Sequence, residues 1–172
     1  MRLINLFRYH VYASIVEFLL LPLPNIKQVN ILRGMLLKPL FKKCGKNLQI
    51  ARNVTLNMYR NIEFGDNVYI AHNAWINGTG GLRFGNDVII SPNTIIATTK
   101  HQYLNGKISN IKSDNAPIDV GDGTWIAGNC TVILGVSIGK GNIIAAGSVV
   151  TKDTNDYGLY AGAPVKLIKE LI

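Results

Sequence analysis

The residue best suited to chemistry is His101, which closes the run IATTKH. Imidazole titrates near neutral pH, so it can take a proton from an alcohol or amine as that group attacks a carbonyl. His101 also opens the one long interruption, residues 101–117, of an otherwise regular repeat. A residue at the mouth of a loop on a rigid scaffold is well placed for catalysis. The other reading of the same position is a loop histidine without a role. His10 lies in a basic, apolar N-terminal stretch and reads as a surface or packing residue, and His72, in AHN, occupies a repeat position whose side chains face outward. Cys44 and Cys130 are far apart, with neither CxxC spacing nor a His/Cys cluster beside them, so they read as buried or idle thiols of a reducing compartment. No metal is expected.

The scaffold that must position His101 is visible as periodicity, which outranks local propensity. Similar phrases begin at Gly45, Gly65, Gly85, Gly121 and Gly139, at spacings of 20, 20, 36 and 18. The interval of 36 accommodates a whole coil and an insertion. Within the phrases apolar residues recur every six positions: Phe64, Ile70, Ile76; Phe84, Ile90, Ile96; Val120, Ile126, Val132, Ile138, Ile144, Val150. A step of six fits neither the 3.6 of a helix nor the alternation of a long strand. It fits a triangular solenoid of short strands, with each anchor pointing inward, a small residue after it, and Asn, Asp or Gly at the turn. Two-residue slips after Ile62 and Leu82 lengthen the early coils, as bulges at a corner. Each coil buries its apolar side only against neighbours, so both ends need caps. The residues before 44 and the tail after Lys152 are expected to supply them.

Composition agrees with a mainly β chain. Among 172 residues there are 22 Ile, 12 Val and 18 Asn against 3 Glu, and length and hydrophobic content suit one globular domain rather than a disordered chain or a disulfide scaffold. Charge is uneven: residues 1–43 carry +6 of the net +8. The remainder has no stripe of Lys and Arg interleaved with aromatics, which argues against nucleic acid. The opening MRLINLFRYHVYASIVEFLLLPLP is broken by Glu17 and ended by Pro22 and Pro24, too short for a membrane span. It lacks a small-x-small cleavage site before the prolines. A helix over roughly residues 3–21 is expected, either packed on the protein or an oligomeric neighbour, or lying on an anionic membrane surface. A second basic helix is expected over 27–43, broken by Pro39. The domain division is then 1–43 helical, 44–153 solenoid with the 101–117 insertion, and 154–172 a tail with a short helix. The expected location is the cytoplasm, with possible attachment to the inner face of the membrane.

The phrases NIEFGDNVYI, GGLRFGNDVIISPN, TTKH, IDVGDGTWIAGNCTVILGVSIGKGNIIAAGSVVTKD and YAGAPVKLIK cover about residues 44–170. On them the sequence resembles the left-handed β-helix acyltransferases of the hexapeptide-repeat superfamily, in particular bacterial sugar and polysaccharide O-acetyltransferases of the galactoside and maltose type. The left hand is implied by the resemblance alone, since parallel crossovers are ordinarily right-handed. The resemblance implies direct acetyl transfer from acetyl-CoA to a saccharide hydroxyl, with His101 as general base and no covalent intermediate. It implies a homotrimer whose active sites lie between adjacent chains.

Site residues carry over by motif. Trp125 corresponds to an aromatic near the acceptor and thioester, Ala127 and Gly128 to the strand beside the pantetheine, and Ala146 to a backbone contact with its amides. Thr151 and Lys152 correspond to positions near the nucleotide end, and Lys166 and Lys169 to basic positions near the phosphates, on what is expected to be a C-terminal helix. Asn77, and more weakly Asn73, correspond to acceptor contacts, although both types suit turns. Where relatives carry a serine two residues beyond the isoleucine of the Trp-Ile pair, this chain has Gly128, so an oxyanion donor there would be a backbone N–H. Two other readings stay open: an N-acetyltransferase acting on an amino sugar or other amine, and a silent hexapeptide-repeat scaffold. A lipid-linked saccharide of a capsule or O-antigen is the acceptor that the basic N-terminus favours.

Overall fold

A chain whose apolar residues recur every sixth position can bury them all only by turning a corner after each short strand. The computed structural model, which describes residues 7–172, does so through five full coils and a partial sixth. The first coil comprises β1 (Lys43–Cys44), β2 (Gln49–Ile50) and β3 (Thr55–Asn57), and the second β4 (Ile62–Phe64), β5 (Tyr69–Ile70) and β6 (Trp75–Asn77). The third is β7 (Leu82–Phe84), β8 (Ile89–Ile90) and β9 (Ile95–Ala97). A hairpin, β10 (Thr99–Leu104) and β11 (Lys107–Asn115), then leaves the stack. The fourth coil is β12 (Ile118–Val120), β13 (Trp125–Ile126) and β14 (Thr131–Ile133), the fifth β15 (Ser137–Ile138), β16 (Ile143–Ile144) and β17 (Val149–Val150). β18 (Gly158–Ala161) and β19 (Lys166–Glu170) end the chain.

Strands of successive coils pair in parallel and form the three faces of a prism. The first face is β1-β4-β7-β12-β15, the second β2-β5-β8-β13-β16-β18-β19, and the third β3-β6-β9-β14-β17. The prism is a left-handed parallel β-helix, as the resemblance implies. All twelve six-step anchors named above are inside, each at most 3% exposed. Phe64 stacks on Phe84 at 5.1 Å and meets the edge of Phe41 at 4.8 Å, closing the interior toward the N-terminus.

The small residue after each anchor has a steric cause. A Cβ on Gly121 would stand 2.7 Å from the backbone of Gly139 in the next coil. At the corner between the second and third faces, Asn53, Asn73, Asn93, Asn129 and Gly147 all have φ between 58° and 72°. Asparagine and glycine tolerate that left-handed conformation, which explains much of the asparagine content. The corner between third and first faces holds the two extra residues of the early coils: a 3-10 turn at Tyr59–Asn61 and a turn through residues 78–81. They thus precede Ile62 and Leu82 rather than follow them, and both of those side chains are buried.

The N-terminal cap is helical. A π-helical turn, Phe7–Tyr12, leads into α1 (Ala13–Leu20), and α2 (Lys27–Leu37) ends in a 3-10 turn, Lys38–Leu40, that contains Pro39. The start of the expected first helix, residues 3–6, lies outside the described residues. α2 lies across β2 so closely that a Cβ on Gly34 would collide with the carbonyl oxygen of Leu48. The guanidinium of Arg33, buried within the cap, donates to the carbonyls of Leu20 (3.1 Å) and Leu23 (3.0 Å) and to Asn30 Oδ1 (2.9 Å), tying the end of α1 to α2. The Tyr12 hydroxyl donates to the Leu36 carbonyl (2.7 Å), and that of Tyr59 to Glu17.

The expected C-terminal helix is absent. Residues 166–170 form β19, antiparallel to β18, which itself stacks on β16. β18 would otherwise present unpaired N–H and C=O groups, and pairing this exposed edge outweighs the local helical spacing of Val165, Ile168 and Ile172. Both cysteines are free, Cys130 buried and Cys44 half-buried, and burial pushes both thiols up from their ordinary values.

Candidate active site

The hairpin that interrupts the repeat is pinned at its base by the third corner of the prism, which joins the third and first faces as the second corner joins the second and third. The Thr98 hydroxyl donates to the Asn77 carbonyl (2.8 Å) and accepts from Gly80 N–H (2.8 Å), and Ala116 N–H donates to the Thr98 carbonyl (3.2 Å). At the tip, Asn105 and Gly106 both have positive φ, the requirement of a tight two-residue hairpin turn. The segment expected as a loop is therefore a two-stranded ribbon. Its register shifts between His101 and Tyr103, and opposite that irregularity the Ser109 hydroxyl accepts from Ile111 N–H (3.2 Å) and Lys112 N–H (2.9 Å).

This irregular stretch turns a carbonyl toward the histidine. His101 is exposed on β10, and its Nδ1 lies 2.9 Å from the Ser109 carbonyl oxygen. A carbonyl only accepts, so the proton of the neutral ring is assigned to Nδ1, and Nε2 carries the free lone pair. That tautomer is the one a general base needs. Below it, Gln102 Nε2 donates to Asp114 Oδ1 (2.6 Å) and Lys100 pairs with Asp114 at 3.5 Å, holding the ribbon in register. Ser109 has no signature in the sequence because its contribution is a main-chain oxygen.

The other expected site residues divide into two groups. Asn77 ends β6 beside Ala97, at the foot of the hairpin, where its Oδ1 accepts from Thr79 N–H (2.8 Å) and its amide Nδ2 has no partner among the described residues. Thr151 and Lys152 follow β17 at the same third corner, higher in the stack. Trp125 is on the second face, 44% exposed, its Nε1 donating to Ser91 Oγ (2.8 Å). Ala127, Gly128 and Ala146 line the second corner.

Ala127 is 6% exposed, and its N–H and C=O already bind Ile144 and Thr94, so it acts as wall. The N–H groups of Gly128 and Ala146 have no partner among the described residues and border that corner. Asn73 belongs to this corner too, where its φ of 61° accounts for the residue type.

Lys166 and Lys169 lie at the edge of the second face on a strand, not on a helix. β19 pairs Lys169 with Leu159 and Lys166 with Ala161, and a bulge at Ile168 restores phase. Both lysines therefore share the outward face of Leu159 and Ala161, while Tyr160 points inward. In a triangular prism the third corner is opposite the second face. One chain accordingly keeps His101 and Asn77 apart from Trp125, Gly128, Ala146 and the two lysines.

A cavity of about 490 Å³ opens at the third corner between the N-terminal helical turn and the end of the first coil, lined by Tyr9, His10, Asn57, Met58, Arg60 and Thr79 among others. The hexad pattern gave no reason to select these residues. Their one trace in the sequence is the slip in spacing that creates the extra corner turn. Among the described residues no group of three or more His, Cys, Asp or Glu is arranged to hold a metal ion.

A left-handed β-helix with an inserted ribbon carrying an exposed histidine defines a hexapeptide-repeat acetyltransferase scaffold. The chain is 32% identical to the galactoside O-acetyltransferase of Escherichia coli over 139 residues, 81% of this chain and 68% of that protein, and it belongs to that family. A solved maltose O-acetyltransferase from Clostridium difficile superposes with a TM-score of 0.82 at 27% identity, covering 97% of this chain and 88% of the other. A galactoside acetyltransferase in complex with coenzyme A gives 0.81 at 26%, covering 98% and 83%. A more identical match, 46% over 55 residues to a Staphylococcus aureus protein described as a candidate acetyltransferase, spans 28% of that protein's length. No family model matches the chain.

Proposed function

We propose that this protein is an acetyl-CoA-dependent O-acetyltransferase that modifies a saccharide hydroxyl, working as a homotrimer with each active site shared by two chains. The observation that carries the reading is the 2.9 Å contact of His101 Nδ1 with the Ser109 carbonyl on an exposed ribbon, which assigns the proton to Nδ1 and leaves Nε2 open. The acceptor hydroxyl gives its proton to Nε2 as its oxygen attacks the thioester carbonyl carbon. The resulting oxyanion takes a hydrogen bond from a backbone N–H, for which Gly128 of the adjoining chain is suited because its N–H has no partner among the described residues. Collapse breaks the C–S bond, and the imidazolium proton passes to the departing thiolate.

The separation of His101 from Trp125, Gly128, Ala146, Lys166 and Lys169 supports the shared site, since a second copy is needed to bring the two groups together. Basic side chains at Lys152, Lys166 and Lys169 suit the phosphates of the donor, and the Asn77 amide together with the cavity at the third corner suits a sugar. We further infer a role in surface polysaccharide synthesis, on the strength of the basic, apolar N-terminal helices. The test is thiol release from acetyl-CoA across sugars, nucleotide sugars, lipid-linked saccharides and amines, with His101→Ala alongside. Release that depends on a saccharide hydroxyl and on His101 supports the proposal. Release with amines alone overturns the assignment of the acceptor, and undiminished release by His101→Ala overturns that of the base.

A further inference from the structure

The N-terminal helical segment is apolar on both sides. Ala13, Val16 and Leu20 pack against the protein, yet Phe7, Val11, Ile15, Phe18 and Leu19, which share the opposite side, are exposed, Phe18 by 75% and Leu19 by 63%. Leu32, Met35 and Leu36 of α2 extend this exposed apolar surface beside it, as the hydrogen bond from Tyr12 to the Leu36 carbonyl requires. A helix that is apolar all round is normally covered, and an exposed patch of this kind marks an interaction surface.

Charge identifies what covers it. Exposed cations, among them Arg8, Lys27, Lys38 and Lys43, belong to these same helices and the residues that follow them, and the one acid among residues 7–43, Glu17, accepts the Tyr59 hydroxyl. A second copy meeting this patch with its own would bring like charges together. The rest of the chain offers no excess of acid to neutralise them, since residues 44–172 are themselves net +2, and most of their carboxylates are held within the stack. Glu63 and Asp119 form ion pairs, and Asp66, Asp122, Asp153 and Asp156 accept backbone N–H groups of neighbouring coils. An apolar ridge with aromatic side chains and a basic rim is complementary to one surface above others, an anionic bilayer.

We propose that the Phe7–Leu20 segment and α2 dock this protein on the surface of a bilayer containing anionic phospholipid, the segment lying in the interface with Phe7, Val11, Ile15 and Phe18 immersed. Among the described residues no helix is long and apolar enough to cross a membrane, so the attachment is peripheral. Tyr9 and His10 of the same segment line the 490 Å³ cavity at the corner that carries His101. Docking therefore brings that cavity to within about a helix diameter, ~10 Å, of the lipid surface, where a lipid-borne saccharide presents its hydroxyls. This last step rests on the acyl-transfer reading, whereas the docking itself does not.

The test is co-sedimentation of the full-length protein with vesicles of phosphatidylcholine alone or with about a third phosphatidylglycerol, read without any turnover. Binding to the anionic vesicles is expected to weaken at high salt. Removing the cation in Lys27→Glu is expected to weaken it at least about fivefold, and Phe18→Ser combined with Met35→Ser to abolish it while thiol release with a soluble acceptor persists. Absence of binding to anionic vesicles overturns the proposal. So does a fall in oligomer mass in the Phe18→Ser, Met35→Ser protein, which would assign the ridge to a second copy.

Discussion

Mixing two inactive proteins should restore activity. His101→Ala removes the base at the third corner, and Ala146→Trp fills the second corner with an indole. Ala146 is exposed and its side chain is no part of the core, so the stack should tolerate the change. In a randomly reassembled trimer made from equal amounts of the two, a site works only if its histidine comes from an Ala146→Trp chain and its second face from a His101→Ala chain. Each condition holds half the time, so about a quarter of the sites are intact. The assay is thiol release after joint unfolding and refolding of the pair, compared with each variant refolded alone. Recovery near a quarter of the wild-type rate is expected. A mixture no more active than the mean of its parents would refute the reasoning, because it would mean that histidine and coenzyme face act from a single chain.

Other outcomes follow from single elements. His101→Ala should lower kcat by ~10²–10⁴-fold with acetyl-CoA binding retained by calorimetry. Replacing residues 99–115 by two glycines should abolish acceptor turnover while the thermal transition of the stack persists, because the hairpin pairs only with itself; an unchanged rate removes the ribbon from the mechanism. Gly121→Ala should cost ~1–3 kcal/mol in denaturant unfolding, since the added methyl meets the backbone of Gly139. Burial, with Glu17 adding to it, pushes the Tyr59 phenol far above its ordinary value. A raised folded value stabilises the native state fully below the unfolded value of about 10 and progressively less as pH rises above it. Stability should therefore fall more steeply above that pH than in Tyr59→Phe, measured by urea titration.

The solenoid was legible because its interior is so narrow. Each strand has room for only one or two inward side chains, and the six-residue step records an apolar one at every anchor from Phe64 to Val150. The corners left a second record in asparagine, whose tolerance of positive φ is a local property. What escaped depended on partners far away in the chain or on atoms common to all residues. VKLIKELI reads equally as helix or strand, and only the open edge of β18 decides between them. Asn105-Gly106 is a hairpin signal that the expectation of a loop over 101–117 left unused. His101 was identified from its place at the interruption, whereas the carbonyl of Ser109 that fixes its tautomer has no side-chain signature. The cavity beside Tyr9 and His10 arises where a helix outside the repeat meets an irregular corner, a juxtaposition no period encodes.

The stacking of coils also makes the molecule a ruler. Successive strands of a face are about 4.8 Å apart, so the three steps from β8, in the coil where the ribbon departs, to β18, beside which Lys166 and Lys169 sit, span about 14 Å along the axis. That separation cannot drift by small amounts through mutation, because it changes only by whole coils. A ligand gripped at both marks is selected for length, and adding or removing one coil, which each end cap would accommodate unchanged, would re-gauge the grip by a fixed increment without altering any residue that touches it.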